Sequence, residues 1–297
     1  MFSKILLCSD GSEGALTATK MGVQIAQRFH SAVLLVHSYE PTFTEYAAFG
    51  GEGWEAAANQ DVLDTEDEAA RRNLIVYTGK ILLDAGLECR TLLECGHPVE
   101  SITRVAKEQG VDLIVLGGRG VSDVAAFLLG SVSEEVLHHS HCPVLIVRGD
   151  SAVPLQHVLL ASDGSEDACQ AAGVAIHFAQ KFAATLRVLN VLDGASLPSG
   201  LAPVPCAESA TPYARAERLL AKITKDVGAG ARGTGVACTF HQETGNPAGI
   251  IVALAARQQA DLIILGCRGR STLNSLLLGS VSNSVAHSAH CSVLVMR

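Results

Sequence analysis

Two short glycine-bearing segments hold the residues best suited to chemistry. In the first, Gly117-Gly118-Arg119-Gly120 is followed after nine residues by Gly130-Ser131; in the second, Gly266-Cys267-Arg268-Gly269 is followed at the same spacing by Gly279-Ser280. Glycine lets a backbone come close to a ligand. A Gly-Ser pair that opens a helix offers N–H groups without intrahelical acceptors at the positive end of the dipole, a setting that favours phosphate. Ser131, Val132 and Ser133 in one copy, and Ser280, Val281 and Ser282 in the other, would line that end, with the serines adding hydroxyl donors. One anion–dipole contact is worth about 0.3–1 kcal/mol, so binding needs several amides and a pocket for the rest of the ligand. Arg119 and Arg268 either steady phosphate charge or pair with surface acids. Asp10 and Asp163 could accept hydrogen bonds from a sugar hydroxyl or a base amine.

Other chemistries find less support. No GxxxxGK[ST] occurs, and no GxGxxG directly follows the first strand of either copy, which excludes the P-loop and the dinucleotide fingerprint. His138, His139, His141 and Cys142, echoed by His287, His290 and Cys291, invite a metal. Zinc needs four convergent ligands, however, and histidine near a helix C-terminus already suits the dipole. No metal ligand is assigned. Cys267 stands beside Arg268 and exposed amides, which would lower its pKa and make it a redox sensor; the plainer reading is a small residue filling a tight loop. No paired carboxylate, histidine or lysine accompanies Asp10 or Asp163 at a catalytic spacing, so no catalytic residue is assigned.

The elements that must position these residues come twice. Asp112–Arg148 aligns without a gap to Asp261–Arg297, and Lys4–Ala15 resembles His157–Ala168. A repeat this long means two whole domains, expected at 1–149 and 155–297, joined by a short link. In each, short apolar runs alternate with helical patterns. Ala18, Met21, Ile25 and Phe29 mark one helix face, replayed by Ala171, Val174, Phe178 and Phe182. Residues 40–54 and 193–212 read as loops, 55–85 and 213–227 as helices. Such alternation predicts an α/β fold: two tandem, doubly wound, five-stranded parallel sheets in the order 3-2-1-4-5. The winding reverses between strands one and four, and ligands bind outside the strands' carboxyl ends at such a switch point. Asp10 and the loop from Gly117 meet there, as do Asp163 and the loop from Gly266.

Composition narrows the class. A net charge of -8 argues against a nucleic-acid surface. The apolar runs are too short for a membrane helix. Nine cysteines without a CxxC pair suit reduced thiols in a cytoplasmic protein.

These motifs together resemble the universal stress protein family in its tandem two-domain form. G-x2-G-x9-G-[ST] marks the ATP-binding branch of that family, and both copies match it. The opening Ser-Asp-Gly-Ser and the turns at Gly96-His97-Pro98 and Gly245-Asn246-Pro247 resemble it too. The resemblance implies an adenine nucleotide alpha hydrolase-like fold that binds ATP with Mg2+ or Mn2+ held through the phosphates. Asp10 or Asp163 would contact adenosine. Gly117, Arg119, Gly120, Gly130 and Ser131, with Gly266, Arg268, Gly269, Gly279 and Ser280, would line the ribose and phosphates. At the end of strand two the family usually has valine; here copy two has Val191 and copy one Ser38. The resemblance further implies an intrachain pseudo-dimer through Pro143–Arg148 and Ser292–Arg297, with a further homodimer open. The function expected is a nucleotide-dependent regulator of the stress response without dedicated catalysis. A slow ATPase or phosphotransferase, and a redox or chaperone-like protein without nucleotide, stay open as alternatives.

Overall fold

The structure, a computed structural model, describes residues 1–40, 76–118, 129–149, 155–193, 212–269 and 278–297. The expected loops at 40–54 and 193–212, the first part of the helix expected at 55–85, and the link between the copies lie almost wholly outside these residues. Two compact units divide the chain, Met1–Ala152 and Val153–Arg297.

In the first unit, strands β1 (Lys4–Cys8), β2 (Ala32–Tyr39), β3 (Cys89–Cys95), β4 (Leu113–Gly117) and β5 (Val144–Val147) alternate with helices α1 (Glu13–Phe29), α2 (76–84), α3 (Pro98–Glu108) and α4 (Ser131–His139). All neighbouring strands pair in parallel, in the order β3-β2-β1-β4-β5. The inner strands β1 and β4 are apolar because helices cover both sheet faces, whereas the edge strand β3 carries Arg90, Thr91 and Glu94. Ile5, Leu6 and Leu7 of β1 and Leu113, Ile114 and Val115 of β4 are almost fully buried. Asp112 fixes the register where β1 starts: its Oδ2 accepts from the backbone N–H of Ser3 at 2.8 Å and of Lys4 at 2.9 Å.

The second unit repeats the plan with β6 (His157–Ala161), α5 (Glu166–Phe182), β7 (Thr185–Asp193), α6 (Pro212–Ala231), β8 (Cys238–Gly245), α7 (Pro247–Arg257), β9 (Leu262–Gly266), α8 (Ser280–Ser288) and β10 (Ser292–Met296). Its strands are parallel, in the order β8-β7-β6-β9-β10. Asp261 repeats the register clamp, its Oδ2 accepting from the amides of Gln156 and His157 at 2.7 and 2.8 Å. Met21 and Ile25, and their counterparts Val174 and Phe178, are buried as the helical spacing requires.

One helix outruns its expected end. α6 continues through Gly228 and Gly230 to Ala231. A Cβ on Gly230 would stand 2.9 Å from Ile176 Cδ1 of α5. Packing on the neighbouring helix thus outweighs the weak helix propensity of glycine.

Candidate functional site

Strands β1 and β6 are both followed by Ser-Asp-Gly-Ser. Gly11 and Gly164 take φ of 79° and 74°, the left-handed region in which a side chain is strained. That turn lets strand pass directly into helix. Asp10 Oδ1 accepts from the Ser12 amide at 3.0 Å and the Ser12 hydroxyl at 2.6 Å. Asp163 Oδ1 accepts from the Ser165 amide at 3.0 Å. Ser12 and Ser165 in turn cap α1 and α5, accepting from the amides of Ala15 and Ala168 at 3.1 and 3.3 Å. Each aspartate therefore commits one oxygen to the turn. Asp10 is exposed and Asp163 half-buried.

The glycines that end β4 and β9 serve packing. A Cβ on Gly117 would lie 2.6 Å from the Gly14 carbonyl carbon, and one on Gly266 would lie 2.7 Å from Asp167 Cβ. The first turn of α1 or α5 rests against the strand end at that point. The chain then closes a loop onto the next helix: the Gly130 amide donates to Gly118 O, and the Gly279 amide to Cys267 O, both at 2.8 Å. A Cβ on Gly279 would come within 2.9 Å of Cys267 O, and one on Gly269 within 2.9 Å of Asp163 Oδ2. The second unit thus brings Asp163, Gly266, Arg268, Gly269 and Gly279 to one place. In the first, Gly117 and Gly130 meet through Gly118, while Arg119 and Gly120 lie outside the described residues.

Helices α4 and α8 begin bare. Their N-caps, Gly130 and Gly279, supply no side-chain hydrogen bond, whereas Ser12, Ser165 and Asn246 cap α1, α5 and α7. The first-turn amides of Ser131, Val132 and Ser133, and of Ser280, Val281 and Ser282, have no intrahelical acceptor. Ser131 and Ser280 are exposed; Val132 and Val281 are half-buried. Ser133 and Ser282 correct the sequence expectation. They are buried, and their hydroxyls donate to Gly117 O at 2.7 Å and Cys267 O at 2.8 Å. They fasten the helix to the loop instead of offering a hydroxyl to a ligand.

At the end of strand two, Ser38 is half-buried and its hydroxyl is enclosed with no hydrogen-bond partner among the described residues. Val191 is half-buried at the matching place. The residues just before them, which the sequence reading missed, are buried and polar. His37 Nδ1 lies 2.6 Å from Ser9 O, and Asn190 Nδ2 donates to Ser162 O at 2.8 Å. Each bridges the carboxyl ends of two neighbouring strands. Their signal was a polar residue at the same step of two otherwise apolar runs.

Asp167, in the first turn of α5, was also missed. Its Oδ2 accepts from Arg268 Nε at 2.9 Å, the Arg268 amide at 3.2 Å and the Cys267 thiol at 3.1 Å, while Oδ1 accepts from Arg268 Nη2 at 3.1 Å. Burial would raise the Asp167 pKa, but the hydrogen bonds from the Arg268 guanidinium and the Cys267 thiol outweigh it and hold the carboxyl below the ordinary range. Cys267 is 3 % exposed. Its thiol is pushed up by burial and then by the bond to Asp167, so the lowered pKa of a redox sensor is overturned. Of the two roles open to Arg268, the structure displays the pairing with an acid. The histidines near the ends of α4 and α8 do not converge: among the described residues no three His, Cys, Asp or Glu side chains gather as metal ligands.

Comparison with known proteins bears on this arrangement. The family model described as the universal stress protein family matches residues 1–148 and again 154–297. A universal stress protein of Mycolicibacterium smegmatis is 29% identical across 99% of this chain and 96% of its own length. A universal stress protein of Thermus aquaticus is 37% identical over 148 residues, half of this chain and the whole of that protein. A solved universal stress protein structure from Archaeoglobus fulgidus superposes with a TM-score of 0.69 at 23% identity, covering 100% of this chain and 99% of that one, which supports the fold. Matched almost end to end in two successive copies, the chain belongs to the universal stress protein family.

Proposed function

We propose that each unit binds one adenine nucleotide, with ATP the expected ligand, and that the chain acts as a nucleotide-dependent regulator in the stress response. What carries this reading is the bare start of α4 and α8. Each is a glycine-capped helix N-terminus after the strand that pairs with the first strand of its unit, and in the second unit the loop leading to it passes against Asp163. A polyphosphate would take the first-turn amides as its donors. The ribose or base would meet Asp10 or Asp163. The enclosed hydroxyl of Ser38, which lacks a partner among the described residues, is a group that a purine edge would satisfy. A divalent ion enters through the phosphates it accompanies, neutralising charge that the protein amides do not.

Asp10 and Asp163 enter this reading as ligand contacts, and no catalytic residue is assigned in either unit. The reading therefore expects a bound nucleotide that persists instead of turning over. Mass spectrometry of small molecules released when the purified chain is denatured tests it. ATP or ADP recovered, with no steady phosphate release by the native protein, supports the reading. Sustained phosphate release lost in the double variant Gly130→Val plus Gly279→Val moves the assignment to a slow ATPase. Protein that carries no nucleotide and takes none up refutes it.

A further inference from the structure

The two units differ at one pair of positions that face each other. The first turn of α5 carries Asp167 where α1 carries Gly14, and the loop after β9 carries Cys267 where the loop after β4 carries Gly118. In the second unit these two residues and Arg268 form a clasp. One buried carboxylate takes four hydrogen bonds from the loop, two of them from a single guanidinium in fork geometry. Ser165 Oγ adds a weaker contact to Arg268 O at 3.4 Å. Bidentate arginine–carboxylate pairs are among the stronger and more directional side-chain interactions. Stripping a buried carboxylate of its cation is strongly disfavoured. A phosphate arriving at α8 would thus compete for Arg268 with a carboxylate that already holds the Nε–Nη2 edge of its guanidinium.

We infer that Asp167 tunes the ligand preference of the second site by holding Arg268 away from the phosphates, so that this site favours a nucleoside triphosphate over the bare nucleoside less than it would with the guanidinium released. The inference rests on the reading of the site as a nucleotide site and deepens it. The base, the ribose and the α8 amides provide recognition there, and the guanidinium serves as a fastener of the loop. Asp167 is a positioning residue that acts through Arg268. Glycine at its place relaxes that restraint, and glycine is what the first unit carries there, as Gly14.

The test compares ATP with adenosine by calorimetry, in a Gly130→Val background that silences the first site. Asp167→Gly, which installs the residue the first unit folds with, should raise the ratio of ATP to adenosine affinity about tenfold, the worth of one additional charge-assisted hydrogen bond. Arg268→Ala should cancel the rise when Asp167 is replaced by glycine. Damage to the fold would weaken both ligands together and could not raise the ratio. Asp167→Asn provides a second variant, with a rise in the same direction. Alkylation of Cys267, followed by peptide mass spectrometry, reads the clasp without any nucleotide: the thiol should be protected in the wild type and labelled faster in Asp167→Gly. An unchanged ratio in Asp167→Gly overturns the inference, as does a rise in Asp167→Gly that persists when Arg268 is also replaced by alanine. If the wild type binds neither ligand while Cys267 is protected, the nucleotide reading fails along with the preference built on it, and only the clasp survives.

Discussion

Asp167 shows how much one side chain can decide and how little of that is visible in a linear sequence. Its partners lie about a hundred residues away, and Arg268 alone was equally compatible with a phosphate or an acid. The hint was indirect: two of the positions at which the copies differ turn out to touch. Because the folded state holds the Asp167 and Asp112 carboxyls below their ordinary range, both contribute stability at neutral pH that is lost on acidification. For such depressed groups the contribution is complete above the unfolded value, about 4, and disappears as pH falls through the lower folded value. Urea unfolding at a series of pH values should show stability falling below about pH 4, with a shallower fall in Asp167→Asn. A slope identical to wild type would contradict the assignment. Gly266 gives a second residue-level prediction. Its missing Cβ would stand 2.7 Å from Asp167 Cβ and 2.9 Å from backbone, so Gly266→Ala should cost about 1–3 kcal/mol in urea unfolding, the usual toll of overpacking.

Among the elements, the strands and the two switch-point helices were legible because apolar runs, proline at helix starts and the glycine–serine spacing are all local signals. The order β3-β2-β1-β4-β5 followed from strand–helix alternation and the handedness of crossovers. What periodicity could not give was the direction a short side chain takes. Ser133 and Ser282 sit on the expected helix starts yet turn inward to loop carbonyls, a choice made by tertiary contact. Helix caps are likewise open to measurement. Removing the Ser165 cap in Ser165→Ala should cost about 1 kcal/mol of unfolding free energy. Ala183 closes α5 at φ 53°, a left-handed conformation. Ala183→Gly should therefore stabilise by about 0.5–1 kcal/mol, relief of strain exceeding the entropy glycine adds to the unfolded chain. Thermal and urea unfolding of the two variants should move in opposite directions.

At the level of the whole molecule, duplication was the most readable feature, and family membership follows from it. Duplicated units invite the assumption of identical sites, and the clasp argues against it. Both units present a glycine-capped helix and a Ser-Asp-Gly-Ser turn, but the carboxylate set against the loop arginine in the second, Asp167, is replaced by Gly14 in the first. The account therefore expects two nucleotides per chain bound at sites of different preference. Equilibrium dialysis of ATP and of adenosine against the intact chain measures this most directly. The account predicts two ATP per chain, falling to one in either Gly130→Val or Gly279→Val, with adenosine retained better by the second site. No ATP bound, or binding that neither substitution reduces, would contradict it.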